Sequence, residues 1–442
     1  MRIFFAILLF ASAASGADLC VGPTSSGAAN GTTWSDKLGW GFTPVRGNTY
    51  YLEDGNYTAD KDFNTAVSGS TLITIRKATV AAHGSSTGWS DAMGDGQAVL
   101  TDGCNFSTSN WVLDGVSRSS WTNGHGIKIT HDGIGIHYPN LCSNITVQYV
   151  EIQGHGDDGV QGWESNCHVY SSPNGSSFLV WRYLYMHDTG CQPFMIPNMT
   201  DGTIEFCFVA RNESVNDDGS GHEQHSEGIY ADNTTRMTVR NSIWVDIEGT
   251  GVIMLGGSGH NVYNNLIYWT DASRNDSNGS IGGWTGHNLV NSAFHHNTII
   301  LPQTSNGANQ YGFSGFSSSG TNVAYNNLFY CASSVPQVGI DASITHDYNW
   351  FRNVGTFSET HIQNGSGNPF VNSAAFDFSL SSATSSGKVL GAPYNVDING
   401  VARVNYDRGA FEFVSGEPPA PAEPTMLHIG FVETIGTTLK NK

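Results

Sequence analysis

Carboxylates and imidazoles are concentrated in two stretches of the chain, GHGDDGVQGWESNCH at 154–168 and NESVNDDGSGHEQHSEG at 212–228. Each holds a paired Asp followed by Gly, Asp157–Asp158 and Asp217–Asp218, in company with His155, His222, Glu223, His225 and Glu227. Carboxylates brought close together raise one another's pKa, which is how a general acid is made. Inverting glycoside hydrolysis needs two such groups about 6.5–9.5 Å apart. Matching Gly159 with Gly228, as the glycines that open the next strand, sets Asp158 against Glu227 with one repeat between them. Two parallel-strand spacings then place their backbones roughly 9–10 Å apart. Asp158 and Glu227 are the candidate acid and base, with His225 and Arg211 assisting. Asp157, Asp217, Asp218 and Glu223 add hard oxygen donors of the kind that Ca2+ takes, so weak calcium binding is expected beside these loops. Asp-Asp-Gly is also an ordinary turn, and the same residues are open to a structural reading.

The elements that must position these groups are repeats. Setting Val150, Leu184, Phe208, Ile243, Ile267, Ile299 and Phe329 in register gives spacings of 34, 24, 35, 24, 32 and 30 residues. Each marker starts a short apolar run that ends in a polar corner, and two places before it stand Arg182, Asn241, Asn265, Asn297 and Asn327 in five of the seven repeats. Short β-rich runs broken by Gly, Asn and Ser, with no helical periodicity of any length, fit one coil of a β-solenoid per repeat. No coil buries its apolar face alone, so the coils must stack. A propeller would want four strands in about 40–45 residues, and these repeats are shorter.

Stacking turns sequence offsets into neighbours about 4.8 Å apart. Three places after the marker the coils carry His187, Arg211 and Asp246, a patch of opposite charges. His187 is taken as a substrate-binding residue on that ground. Trp163, Tyr230, Trp244, Trp269 and Trp284 lie on or beside successive strands, where exposed rings would pack on sugar faces and inward ones would fill the core. Trp163, Tyr230 and Trp269 join the candidate substrate-binding set.

The opening VGPTSSGAANGTTW, the strand RGNTYYLEDGNYT, the Asn-bearing coils and the closing DINGVARVNYDRGAFEF resemble secreted right-handed parallel β-helix proteins of the pectate-lyase-like superfold, over about residues 18–414. The resemblance implies an all-β right-handed parallel β-helix with an N-terminal cap, the cap falling around Trp34–Leu38. It does not imply one activity, because this fold hosts lyases, hydrolases and adhesins. Lyases of this fold that it resembles use a Lys or Arg base and carboxylate-held Ca2+. Glu227 matches the Glu of that pattern, but the Lys place falls at Ala231 or Asp232 and the Arg place falls in MLGGSGH, which has no Arg. Arg211 or His225 is left as the base.

Residues 1–17 read as a secretory signal, with one Arg, an apolar run from Ile3 to Ala14 and small residues at Ser15 and Ala17. That run is shorter than the roughly 18 residues of a membrane span, so no membrane span is expected. Residues 415–424 are a Pro-rich linker and 425–442 a short tail. The formal net charge is −19 with no basic cluster, which excludes nucleic acid as a partner and disfavours a polyuronate over a neutral or weakly charged glycan. Seven cysteines in an exported chain permit disulfides and leave at least one unpaired. Eleven N-x-S/T sequons arise either as a sugared surface or from Asn-rich turns followed by Ser and Thr. The expected function is cleavage of a polysaccharide or cell-surface glycan by a hydrolase or a lyase. A non-catalytic structural, adhesive or glycan-binding solenoid is the alternative.

Overall fold

The structure is a computed structural model that describes residues 16–156, 167–172, 175–212, 226–247, 249, 251–270, 281–282, 288–301, 312–314, 320–332, 339–354 and 358–415. Three long sheets run the length of the molecule. One coil shows how the chain serves them. Ser143–Gln148 lies in the first sheet, Val150–Gly156 in the third and Val169–Ser171 in the second, after which Ser177–Arg182 returns to the first sheet directly above Ser143–Gln148. Every pairing within these sheets is parallel. The strands are short, and inward residues alternate with outward ones, as in Ile145 and Val147, both buried. Ahead of this coil, strands lie at Ile73–Lys77, Ala98–Leu100 and Trp111–Asp114.

At the N-terminal end the strand Asp18–Val21 has one open edge. Residues 31–38 lie along it: Cys20 N donates to Gly31 O, Leu38 N to Cys20 O and Gly22 N to Leu38 O, at 2.7, 2.9 and 2.9 Å. A 3-10 turn at Trp34–Asp36, opened by Thr33, presses Trp34 onto Cys20 and Ala78.

Between the first and third sheets the chain turns through a bend of two residues, and its geometry sets the register. The first of the two is left-handed in successive coils, at Tyr149, Tyr183, Phe206, Asn241, Asn264, His296, Asn326 and Tyr348, with φ between 50° and 60°. Asn visits that region at least cost among these types. In the aromatic coils, ring stacking offsets the strain: Tyr149 lies on Tyr183 at 4.7 Å and Tyr183 on Phe206 at 5.1 Å between centroids.

The second residue of the bend points inward, and here runs the asparagine ladder. Asn265 Nδ2 donates to Asn297 Oδ1 (3.0 Å), Asn297 Nδ2 to Asn327 Oδ1 (3.1 Å) and Asn327 Nδ2 to Asn349 Oδ1 (3.0 Å). Glu359 closes the run by accepting from Asn349 Nδ2 and N. Each amide also serves the backbone. Asn297 accepts from Asn265 N and donates to Val262 O, so both of its donors and both acceptor positions are used. Of the four asparagines expected at one turn, Asn265, Asn297 and Asn327 stack as rungs. Asn241 is instead the left-handed residue of its bend, and Ser242 takes the rung, with Ser242 N donating to Asn265 Oδ1.

The coils end at Gln363–Asn364. Beyond them, Phe370–Asn372 and Asp377–Leu380 form an antiparallel hairpin, and residues 370–413 fold back over the outside of the third sheet. The closing motif locks this cover down. Buried Arg403 lies 3.5 Å from Glu412 and donates to Asn264 Oδ1, while Arg408 donates to Asn349 O and His361 O, tying the cover to the bend.

Removal of one rung takes away four hydrogen bonds in the core. Asn297→Ala should therefore destabilise the protein by about 3 kcal/mol or more, by the penalty for buried unsatisfied groups. Asn241→Gly suits a left-handed residue and should change stability by about 0.5 kcal/mol or less. Denaturant midpoints of the two variants check the ladder, and equal losses would refute it.

Candidate functional site

The outer face of the third sheet changes character along its length. Phe208, Ile243, Leu266, Thr298, Leu328 and Trp350 stand in register on neighbouring coils; the apolar ones are buried beneath Phe370, Phe378, Ile398 and Ala410 of the C-terminal cover, and Thr298 Oγ1 accepts from Ala410 N. The earlier coils carry Lys128, Glu151, Tyr185 and His187 on the same face. The polar part of this sheet is where candidate chemistry gathers.

Those side chains form one network across three coils. Glu151 takes Lys128 Nζ at 2.6 Å and Gln97 Nε2 at 3.0 Å, and lies 3.4 Å from His187 Nε2. Burial alone would raise the Glu151 carboxyl, but these partners bring it down to about 2. His187 stacks on the Tyr185 ring at 4.1 Å, and its Nδ1 donates to Asp188 Oδ2 at 2.5 Å, since a carboxylate only accepts. Arg211 grips Asp188 with Nε at 2.5 Å and a terminal nitrogen at 3.0 Å, and reaches Tyr185 Oη at 3.3 Å. Burial opposes ionisation of Asp188, yet His187 and Arg211 hold its carboxyl far below the usual range, and Asp188 in turn holds Arg211 above its ordinary value.

Backbone geometry explains why these charges face outward. The ladder pairs His187 with Ala210 and Val245, then resumes at Thr189, Asn212 and Ile247. Asp188, Arg211 and Asp246 sit between, all left-handed, with φ of 57°, 54° and 52°. Arg is an unusual occupant of that region, and unfavourable backbone of this kind collects at functional sites. The charges expected at offset three are thus present, with Asp188 in place of His187 beside Arg211 and Asp246. The sequence register slips by one because the true spacings from Tyr185 to Phe208 and from Ile243 to Leu266 are 23 residues.

Glu227 is fully buried just before the strand Ile229–Thr235. Gln192 Nε2 donates to its Oε2 at 3.1 Å, and a Cβ on Gly249 would meet Glu227 N at 2.2 Å, so its backbone is tightly packed. Val169, Phe194 and Ile229 pair in register, which makes Gln192 and then Cys167 the residues stacked below Glu227. The matching of Gly159 with Gly228 is therefore not the register of the second sheet: that coil's strand begins at Val169. Asp157, Asp158, Trp163, Asp217, Asp218, Glu223 and His225 lie outside the described residues, as does Trp284. Of the described residues on either side of 213–225, Asn212 Nδ2 donates to Ser226 O. His155 is exposed and paired with Asp132 at 2.9 Å. Tyr230 is half-buried against Cys167, Cys191 and Met195. Trp269 turns inward, its indole N–H donating to Ile247 O at 2.9 Å, and so serves the core, not a sugar face.

No protein-family model and no curated protein sequence matches the chain. Among solved structures, pectate lyase Pel9A is similar over 90% of this chain and 97% of that one, at 14% identity and a TM-score of 0.50. A PL6 family alginate lyase, AlyGC, matches over 79% of this chain and 53% of that one (13% identity, TM-score 0.34), and a rhamnogalacturonan lyase over 88% and 96% (13%, 0.37). The fold is the right-handed parallel β-helix.

Of the side chains in this network, the sequence named Arg211 and His187 as candidates and did not single out Lys128, Glu151, Tyr185 or Asp188. Outward alternation on Val150–Gly156 and Tyr185–Thr189 carried the signal for Glu151 and Tyr185. Asp188 needed the left-handed bulge, which spacing does not reveal. Among the described residues, no group of three or more His, Cys, Asp or Glu side chains is arranged to hold a metal.

The left-handed backbone at position 211 makes a stability prediction. Arg211→Gly and Arg211→Ala both remove the ion pair, but Ala still bears the left-handed penalty. Gly should be more stable than Ala by about 1 kcal/mol. Thermal unfolding of the two variants measures this, and Ala matching Gly would mean the bulge is not held.

Proposed function

We propose that this chain is a secreted enzyme that cleaves a polysaccharide, as a glycoside hydrolase or a polysaccharide lyase, with the glycan lying across the uncovered polar part of the third sheet. The observation that carries the proposal is the Asp188–Arg211 pair, two ionic groups on unfavourable backbone on adjacent coils with His187 beside them, next to residues 213–225, which the sequence predicts as a long loop. Long loops on a rigid scaffold are where function concentrates. Arg211, about two-fifths exposed, offers a planar donor fork to a sugar hydroxyl or carboxylate. His187, oriented by Asp188, is a candidate proton carrier. Asp158, His225 and Glu227 complete the proposed acid–base set. The name of the similar structure, pectate lyase, supports polysaccharide as the substrate class. A formal charge of −19 favours a neutral or weakly charged glycan, or an acidic one admitted beside Lys128 and Arg211.

A scaffold without catalysis is the second reading, favoured by two observations: Glu151 has three partners already, and Glu227 is fully buried. A panel of polysaccharides, assayed for new reducing ends and for unsaturated sugar ends, separates the two. Reducing ends alone identify a hydrolase, both together a lyase. On the substrate cleaved, Arg211→Ala should lower kcat/KM by roughly 10²–10³, as for loss of a group aimed at developing charge. A panel with no product, or full activity in that variant, would refute the site.

Calcium belongs to the same proposal. The described residues assemble no metal cage, so Asp157, Asp217, Asp218 and Glu223 of the loops would supply the ligands. Binding to the folded state should raise the melting temperature as calcium is added, and no shift at millimolar calcium would remove the ion from the proposal.

A further inference from the structure

Cys167 and Cys191 enter the second sheet on neighbouring coils, just before the paired strands Val169–Ser171 and Phe194–Met195. Their sulfurs are 3.7 Å apart. Both are buried, packed with Met195 and flanked by Tyr170 and Tyr230. Cys191 Sγ also donates to Gln192 Oε1, which Cys167 Sγ reaches at 3.9 Å, whereas Cys142 Sγ faces Phe106 O at 3.0 Å and Cys207 Sγ faces Glu205 O at 3.4 Å, each thiol donating to a backbone carbonyl. The 167–191 pair brings two sulfurs together across adjacent coils, and a disulfide would draw them from 3.7 Å to roughly 2.05 Å.

We propose that Cys167 and Cys191 form a disulfide in the exported protein, cross-linking two coils beside Glu227. The oxidant is a small or protein disulfide of the compartment. As the coils close in folding, the thiolate of one cysteine attacks the oxidant's disulfide and releases one thiol. The second cysteine then attacks the mixed disulfide and releases the other. Two protons leave, and two electrons end on the oxidant's sulfurs. The bond links two residues 24 apart in the chain, and so restricts the unfolded chain. It also fixes Gln192, the neighbour of Cys191, whose amide holds the Glu227 carboxylate.

The test uses the full chain exported to an oxidising compartment, or refolded with oxidised glutathione. Thiols are blocked under denaturing conditions without reductant, and the digest is mapped by mass spectrometry. The expected result is a peptide carrying Cys167 joined to one carrying Cys191, lighter by two hydrogens than their sum. Blocking of both thiols, or either one linked to a different cysteine, would overturn the proposal. Melting gives a second readout. Reductant should lower the wild-type melting temperature by about 3–8 °C. It should do the same in Cys331→Ser and have no effect in Cys167→Ser or Cys191→Ser. Equal response to reductant in all four proteins would also overturn it.

Discussion

Every coil of this β-helix must satisfy backbone groups at a buried corner that water cannot reach, and the rest of the structure depends on how that is done. In the later coils the answer is a column of asparagine amides ended by Glu359. An amide suits the task because it offers two donors and an acceptor with two lone pairs, enough to bond the rungs above and below as well as the backbone. In the earlier coils the same inward position holds Val150, Leu184, Cys207 and Ser242, and the stacking role passes to the left-handed residue beside it, where Tyr149, Tyr183 and Phe206 stack. Two different interactions thus keep a single register.

Register then decides which side chains meet. Successive strands of the third sheet present one face to the core and one outward, and a slip of one residue exchanges the two. The C-terminal segment makes this sheet unusual by covering the outer face of the later coils with Phe370, Phe376 and Phe378, so those strands are apolar on both faces. Where the cover stops, the outward positions become Tyr185, His187, Glu151 and Lys128. A single structural element therefore both completes the hydrophobic core and marks off the part of the sheet that bears charge.

The charged groups themselves stand on a bulge. By taking left-handed backbone at Asp188, Arg211 and Asp246, the chain breaks alternation once per coil in three adjacent coils and brings opposite charges into a column. Mutual hydrogen bonds hold Glu151 and Asp188 ionised despite burial. The network's side chains are paired with one another, and Arg211 keeps an exposed side.

The sequence by itself determined the fold class, because irregular repeats of 24 to 35 residues with short apolar runs and Asn-rich corners have few other ways to bury their surface. It also determined that Asn265, Asn297 and Asn327 stack and that Arg211 and His187 lie together. It did not determine register within one residue. Phe208 and Ile243 were as apolar as the true inward residues Val209 and Trp244, since the C-terminal cover, 127 or more residues away in the chain, buries both faces. Nor did it place Glu227, whose neighbours Gln192 and Cys167 follow from where the second sheet begins after each loop. Loop lengths vary freely in sequence while strand pairing is fixed by the ladder, so residues next to long loops are the ones that tertiary structure alone could position.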